Sequence, residues 1–310
     1  MNKRVLVITG PTASGKSALG VLCAKMLGGE VISADSMQIY RRMDIGTAKI
    51  MPDEMGGVPH HMLDVADPDE AFSVARYVEM AAQCCEDIFA RGKVPVIVGG
   101  TGLYIDSLLS GRDFAANDGD GETRAALSEE YDRIGGEAFR EKLREVDPDR
   151  AEKLHAADKK RLVRAMEVFV LTGKTITQHD EETKKIPPRY ESVRFALDYA
   201  DRDALYARID RRVDEMAQSG LIDEVRTLLE GGLSHECTAM QAIGYKEIVS
   251  FLQGEISEKE AIDLIKQESR RYAKRQLTWT RRDKGMNWIV WDGAPDIEKA
   301  AQRVVSVFCG

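Results

Sequence analysis

The sequence lacks a long hydrophobic run and has few cysteines. No stretch approaches the roughly 18 apolar residues of a membrane span, and the apolar run at residues 5–8 is shorter than a signal-peptide core of about 7–15 residues. The five cysteines are odd in number and include no C-x-x-C pair, which is typical of reduced thiols in the cytosol. We therefore expect a cytoplasmic protein with no membrane segment.

The sequence also lacks an excess of positive charge. Its 44 Lys and Arg residues stand against 52 Asp and Glu residues, which gives a net charge of −8. This balance argues against a protein that coats nucleic acid nonspecifically. A local basic groove stays compatible with it, because electrostatic steering depends on how charge is distributed. The 310 residues, 43% of them hydrophobic, suffice for one large domain or two ordinary ones.

Strand-like and helical patterns alternate along both ends of the chain. Apolar runs that predict buried strands lie at residues 5–8, 30–33, 94–98, 193–197 and 287–291. Helical spacing of apolar residues lies at residues 17–27, 71–91, 101–109, 201–230, 236–282 and 296–308. Alternation of this kind is typical of an α/β fold with a parallel sheet flanked by helices.

The middle of the chain has a different character. After the Asp- and Gly-rich stretch at residues 117–121, charged amphipathic helical patterns continue to Pro187 and Pro188 without an apolar strand. We therefore predict a helical insertion domain at residues 113–192, within an α/β core formed by residues 1–112 and 193–310.

A phosphate-binding loop follows the first predicted strand and opens the first helix. It fits the pattern G-x-x-x-x-G-K-[ST] and comprises Gly10, Pro11, Thr12, Ala13, Ser14, Gly15, Lys16 and Ser17. Backbone amides of such a loop converge on anionic oxygens, the lysine adds a mobile positive charge, and the hydroxyl of Ser17 is a ligand for Mg²⁺. The sequence therefore predicts a P-loop NTPase-like core that binds a di- or triphosphate, with Mg²⁺ as cofactor.

The loop leaves the phosphate compound open. Residues 94–98 form an apolar run but end in Gly99 rather than in the acid of a Walker B motif, which counts against an ordinary ATPase. A P-loop small-molecule kinase using ATP remains an alternative, as does a non-catalytic nucleotide- or RNA-binding protein.

Asp35 comes directly after the second predicted strand. Ligands of open α/β sheets bind at the carboxyl ends of the strands, so this carboxylate is expected beside the phosphate loop. There it can accept a proton or hold Mg²⁺. An ordinary helix-capping role is equally compatible with its position.

Eight blocks of sequence resemble the tRNA dimethylallyltransferase family. They span most of the chain: GPTASGKS (10–17), ISADSMQIY (32–40), MDIGTAK (43–49), PHHMLD (59–64), GGTGLY (99–104), RLVRAME (161–167), AIGYKE (242–247) and RYAKRQLTW (271–279). The resemblance implies an enzyme that transfers a dimethylallyl group from dimethylallyl diphosphate to N6 of the adenosine 3′-adjacent to the tRNA anticodon. The phosphate loop would then hold the leaving diphosphate rather than ATP.

The resemblance also implies roles for individual residues. Asp35 matches the family's general base, with Lys16 and Thr101 as the other catalytic positions. Residues that match positions contacting tRNA are Asp35, Ser36, Met37, Gln38, Thr101 and Arg124. The match at Arg124 is weaker, since an arginine at the start of a helix is often simply solvent-exposed.

Two basic stretches are candidates for contact with RNA phosphates. They contain Lys159, Lys160, Arg161 and Arg164 in the insertion, and Arg271, Lys274 and Arg275 on a late helix. Charge runs are often only solvated helix faces, but with the family resemblance we expect them to bind the anticodon stem-loop. The adjacent His60 and His61 diverge and have no third ligand nearby in sequence, so we expect structural or substrate-lining roles for them rather than a metal site. A monomer is the expected state.

Overall fold

The computed structural model describes residues 3–111 and 121–310. The chain forms two compact units, of which the first contains the residues up to Leu109 and from Tyr190 onward, and the second is Ser110–Arg189. The predicted domain boundary between residues 112 and 113, and most of the Asp- and Gly-rich stretch, lie outside the described residues. Within the described ranges, no helix is long and apolar enough to cross a membrane.

The N-terminal part of the first unit alternates strands and helices. Its elements are β1 (Arg4–Thr9), α1 (Lys16–Leu27), β2 (Glu30–Ser33), β3 (His60–His61), α2 (Val74–Ala90), β4 (Pro95–Val98) and α3 (Gly102–Ser110). The second unit is helical throughout its described part, with α4 (Glu122–Ile134), α5 (Gly136–Val146), α6 (Pro148–Lys153), α7 (Lys159–Thr172) and α8 (Ile176–Lys184). Its core is built around Phe139, Leu143 and Leu162, all fully buried.

The C-terminal part returns to the first unit. Its elements are β5 (Glu191–Tyr199), α9 (Arg202–Gln218), α10 (Leu221–Glu230), a 3₁₀ turn (Ala239–Gln241), α11 (Tyr245–Leu252), α12 (Glu258–Thr280), β6 (Asn287–Trp291) and α13 (Ile297–Cys309).

The strands form one parallel sheet in the order β3-β2-β4-β1-β5-β6. Val5, Leu6, Val7 and Ile8 of β1 have no exposed surface, as expected for a strand covered by helices on both faces. Because all the strands run in one direction, their carboxyl ends meet at one edge of the sheet. The predicted α/β core with a parallel sheet and a helical insertion is therefore confirmed.

Some element boundaries differ from the sequence expectation for local reasons. The helix expected at residues 71–91 begins at Val74, because the side chain of Ser73 caps it by accepting a hydrogen bond from the amide of Arg76. The helical pattern at 201–230 is two helices, separated at Gly220, whose φ of 100° a helix does not allow. The pattern at 236–282 contains the 3₁₀ turn, α11 and α12, and the two-residue β3 gave no recognisable sequence signal.

Candidate active site

The phosphate loop lies between the end of β1 and the start of α1. Gly10 and Gly15 have φ values of 136° and 92°, and Ala13 also has a positive φ, of 61°. A Cβ on Gly10 would lie 2.7 Å from the carbonyl oxygen of Leu197, so the first turn leaves no room for a side chain. The loop thus directs the free amides at the N-terminus of α1, and the positive end of that helix, toward one place.

Lys16 is half-buried at the start of α1. Its ammonium group donates a hydrogen bond to the carbonyl oxygen of Pro11 at 2.6 Å. Burial, followed by the nearby charge of Arg212, lowers the pKa of Lys16 to about 7, with Asp35 acting in the opposite direction. An anionic partner would strongly stabilise the protonated form of a lysine held in this way. The geometry of the loop favours binding of such an anion.

Two arginines of α9 reach the phosphate loop. Arg212 donates to the hydroxyl of Thr12 at 3.4 Å and to the carbonyl oxygen of Ala48 at 3.3 Å, while Arg208 donates to the carbonyl oxygen of Ala13 at 3.2 Å. Burial lowers the pKa of Arg212, opposed by Asp35. Neither arginine is among the residues predicted from the sequence, although their i,i+4 spacing places them on one helix face.

Asp35 lies at the carboxyl edge of the sheet, as predicted. One carboxylate oxygen, Oδ1, accepts hydrogen bonds from the amides of Met37 at 2.9 Å and Gln38 at 3.3 Å. Within the part of the chain that the structure describes, Oδ2 makes no hydrogen bond. The two readings of Asp35 are therefore compatible: one oxygen caps the turn, and the other is available as a proton acceptor.

Thr101 joins the ends of two neighbouring strands. Its hydroxyl accepts a hydrogen bond from the amide of Ser36 at 3.1 Å, and its own amide donates to the carbonyl oxygen of Ala34 at 3.1 Å. Thr101 thus holds the turn that carries Asp35. The missing Walker B acid has a steric explanation here, since a Cβ on Gly99 would lie 2.2 Å from the carbonyl oxygen of Ala34.

A cavity of about 340 Å³ lies beside these groups. Its polar lining includes Thr12, Asp35, Ser36, Arg212 and Arg275. Its apolar lining includes Met37, Ile209, Val213, Met216, Ile243 and Ile265. Thr12 of the phosphate loop, the carboxylate of Asp35 and an apolar wall therefore line one cavity, which suits a ligand with a charged end and a small hydrocarbon end.

Comparison with known families decides the identity. The model of the family described as IPP transferase matches residues 38–283, and that described as Isopentenyl transferase matches residues 3–70. Curated tRNA dimethylallyltransferases of Thermoanaerobacter sp. and Acetivibrio thermocellus are 45% and 48% identical, covering 99% and 97% of this chain and 98% and 96% of their own length. The chain belongs to the tRNA dimethylallyltransferase family.

Solved structures agree with this membership. The tRNA isopentenylpyrophosphate transferase of Bacillus halodurans is similar with a TM-score of 0.73 and 41% identity, covering 99% of this chain and 97% of its own. A eukaryotic dimethylallyltransferase acting on tRNA gives a TM-score of 0.82 at 30% identity, covering 98% and 78%. The family resemblance, the P-loop-like core and the assignment as a transferase are confirmed, and nothing in these comparisons favours the kinase alternative.

Helix α12 of this member of the tRNA dimethylallyltransferase family carries packing residues as well as the basic residues predicted to contact tRNA. Gln276 accepts from the amide of Thr12 at 2.9 Å and donates to the carbonyl oxygen of Gly100 at 3.1 Å, which ties the helix to the phosphate loop. Arg275 stacks over the ring of Tyr272, 5.7 Å from its centroid, and lines the cavity. Arg271 and Lys274 are exposed on the same helix.

The remaining predicted RNA-binding residues lie in the second unit. Arg124 forms a bidentate pair with the buried carboxylate of Glu167, at 3.1 and 3.0 Å, and Arg164 contacts the same group at 2.7 Å. Lys159 pairs with Asp132 at 2.6 Å and the exposed Arg161 with Asp158 at 3.3 Å, and Lys160 is exposed. Their contact with tRNA stays a prediction, and the pairing with Glu167 gives Arg124 a structural partner that its sequence context did not reveal.

The two adjacent histidines have protein partners. His60 Nδ1 lies 2.8 Å from the carbonyl oxygen of Val58, and His61 Nε2 lies 2.7 Å from the buried carboxylate of Glu30. Arg91 and Lys93 also contact Glu30, and these partners lower its pKa to about 2 despite burial, which acts in the opposite direction. Among the described residues, no group of three His, Cys, Asp or Glu side chains could hold a metal ion.

Proposed function

We propose that this protein transfers a dimethylallyl group from dimethylallyl diphosphate to N6 of the adenosine 3′-adjacent to the anticodon of tRNA, releasing diphosphate. The observation that carries the proposal is the cavity in which Thr12 of the phosphate loop, Asp35 and an apolar wall face the same space. A kinase would place an ATP γ-phosphate and a second polar substrate there, and the apolar wall would serve no purpose.

The donor binds with its diphosphate on the phosphate loop. The loop amides, Lys16 and Arg212 neutralise the charge that develops on the leaving group as the allylic carbon–oxygen bond breaks. The apolar residues Met37, Ile209 and Val213 accommodate the hydrocarbon end. Because these groups are already in place, the reacting carbon can develop positive charge without rearrangement of the site.

Magnesium is the proposed cofactor. The hydroxyl of Ser17 lies in the first turn of α1, is exposed, and has no hydrogen bond to the described residues. In phosphate loops of this pattern the Ser or Thr hydroxyl is a Mg²⁺ ligand, and substrate phosphate oxygens and water molecules supply further ligands. The ion would supply further neutralisation of the diphosphate when bound, with Ser17 as its protein ligand.

The acceptor amine attacks the allylic carbon while Asp35 takes its proton. N6 of adenine gains the bond to carbon, diphosphate leaves with the electron pair of the broken carbon–oxygen bond, and the displaced N6 proton passes to Oδ2 of Asp35. Thr101 holds the turn that carries this carboxylate. Ser36, Met37 and Gln38 follow Asp35 directly, and we assign them to contact with the acceptor base.

The anticodon stem-loop is the proposed macromolecular partner. The exposed cations of the late helix and of the second unit supply positive charge on an otherwise acidic protein. We propose that the protein acts as a monomer in the cytoplasm.

Mass spectrometry tests the reaction. Incubation with dimethylallyl diphosphate, Mg²⁺ and unmodified tRNA should add one C₅H₈ unit to an anticodon-loop adenosine, and the yield should not depend on ATP. Release of ADP in proportion to modified product would contradict the assignment of the phosphate loop to the donor diphosphate.

The late basic helix can be tested by charge reversal. Replacing Arg271 and Lys274 with glutamate should raise the KM for tRNA, because two phosphate contacts are lost, and should lower the salt slope of tRNA binding by about two. Adding Arg275→Glu should also raise the KM for dimethylallyl diphosphate, since Arg275 lines the cavity.

The matched control reverses Lys299 and Arg303, two exposed cations of α13 that we do not assign to tRNA contact. It changes the net charge by the same amount. Equal KM values for tRNA in both double variants, at two salt concentrations, would show that the late helix is only a solvated face.

A further inference from the structure

A single carboxylate outside the cavity holds three consecutive backbone amides. Oε2 of Glu224, on α10, accepts hydrogen bonds from the amides of Asp44 and Ile45, both at 2.8 Å, and Oε1 accepts from the amide of Gly46 at 3.0 Å. The hydroxyl of Tyr245 donates to Oε1 at 2.6 Å. Four donors on one carboxylate are bonds of the stronger, charge-assisted kind.

The turn held in this way, residues 44–48, presents carbonyl oxygens to Gln38 and to Arg212, and Arg212 lines the cavity. Gln38 donates to the carbonyl oxygens of Thr47 at 3.3 Å and Ala48 at 3.2 Å. Arg212 donates to the same carbonyl of Ala48 at 3.3 Å. The turn therefore lies between Glu224 on one side and two side chains of the active site on the other.

The turn is also tightly restrained. A Cβ on Gly46 would lie 2.5 Å from the ring of Tyr245, so the backbone packs directly against that ring. Ala48 has a φ of 45°, a left-handed conformation that an alanine keeps only when its surroundings enforce it. Lys49, which is buried, continues the restraint by donating to Tyr40 and contacting Asp44 and Asp64.

We propose that Glu224 is a positioning residue for both substrates. By fixing the 44–48 turn, it sets the carbonyl oxygens of Thr47 and Ala48, and these orient Gln38 toward the acceptor base and Arg212 toward the donor diphosphate. This proposal rests on the function proposed above. It assigns to Glu224 an effect on two ligands that Glu224 itself does not touch.

The test is a double-mutant cycle that measures Glu224→Gln in the wild type and in a Gln38→Ala background. The amide has one acceptor oxygen, so its NH₂ group faces backbone N–H donors and the turn loses its fixed position. Glu224→Gln should lower kcat/KM for tRNA about 10-fold, and this loss should shrink to less than about threefold in a Gln38→Ala background, because the two effects act through one turn. Equal fold-losses in both backgrounds would overturn the proposal.

Affinity for inorganic pyrophosphate gives a second readout, which needs neither tRNA nor turnover. It should fall about threefold to 10-fold in Glu224→Gln, since Arg212 loses its orientation. Unchanged pyrophosphate affinity would overturn the donor half of the proposal. Because this measurement does not depend on prenyl transfer, its outcome is separate from success or failure of the proposed function.

The matched control is Glu30→Gln. Glu30 is also a buried carboxylate with several donors, but it lies at the amino end of β2, away from the site. Glu30→Gln should lower thermal stability but should change neither kcat/KM for tRNA nor the affinity for pyrophosphate. This result would separate a positioning role of Glu224 from a general loss of structure. If Glu224→Gln does not fold, Tyr245→Phe removes one of the four bonds and should show the same changes on a smaller scale.

Discussion

Asp35→Asn is expected to lower turnover by about 10²–10⁴-fold, the usual range for a lost general base. Asparagine has nearly the shape of aspartate, and its Oδ1 can still accept from the amides of Met37 and Gln38. What the variant lacks is the second carboxylate oxygen, which we assign to the N6 proton of the acceptor. Single-turnover transfer to tRNA measures the loss directly.

The structure makes this substitution more informative than the sequence did. Because the capping oxygen is retained, thermal stability and tRNA affinity should change little. Asp201→Asn is a matched control, since Oδ1 of Asp201 also accepts from an amide two residues ahead, that of Asp203 at 2.9 Å, at the exposed start of α9. Near-wild-type turnover with Asp35→Asn would leave Asp35 as a capping residue only.

The parts of the site that lie close together in sequence were predictable. The phosphate loop has a strong local pattern, because its glycines meet conformational needs that other residues do not satisfy. Asp35 could be placed because parallel strands bring their carboxyl ends to one edge of the sheet. The absence of a Walker B acid was also visible, and the contact of Gly99 with Ala34 now gives its cause.

Residues brought in from distant segments were not predictable. Arg208 and Arg212 contact the phosphate loop across about 195 to 200 positions of sequence, and arginines on an amphipathic helix normally face solvent. Glu224 is likewise an ordinary acid in the first turn of a helix until the fold places three amides against it. Such roles depend on which face of a helix meets which loop, and hydrophobic periodicity does not specify that.

Residues within one sequence block of the family have different roles, and only the structure shows which residue has which role. In the block at residues 43–49, Gly46 and Lys49 shape and anchor a turn, whereas Thr47 and Ala48 supply carbonyl oxygens to Gln38 and Arg212. In the late block, Gln276 ties α12 to the phosphate loop, and Trp279 donates to Asp106 at 2.8 Å. The aromatic residue Trp279 therefore joins α12 to α3.

Lys16→Met is expected to reduce pyrophosphate affinity by about 100-fold or more, because a half-buried cation that pairs with the diphosphate is lost. The ligand-free variant should nevertheless be no less stable than the wild type near neutral pH. Burial and the charge of Arg212 disfavour the protonated lysine in the folded protein. Methionine fills a similar volume without that charge. Calorimetry of pyrophosphate binding, together with thermal unfolding in Mg²⁺-free buffer, measures the two effects.

The pH dependence of stability follows from the same shift. The pKa of Lys16 is about 7 in the folded protein against 10.5 for an ordinary lysine. Between these values the unfolded chain binds a proton that the folded protein does not, so stability of the wild type rises with pH in this window. The stability of Lys16→Met relative to wild type should thus be greatest below pH 7 and decrease as the pH approaches 10.5.

Pyrophosphate binding should reverse this proton balance. The anion favours the protonated lysine, so at pH 8 the wild type should take up close to one additional proton on binding compared with Lys16→Met. Calorimetry in buffers of different ionisation enthalpy counts these protons. Equal uptake by the two proteins would show that Lys16 does not change its protonation with the ligand. Loss of both the uptake and the affinity in the variant would identify Lys16 as the group that becomes protonated when the diphosphate binds.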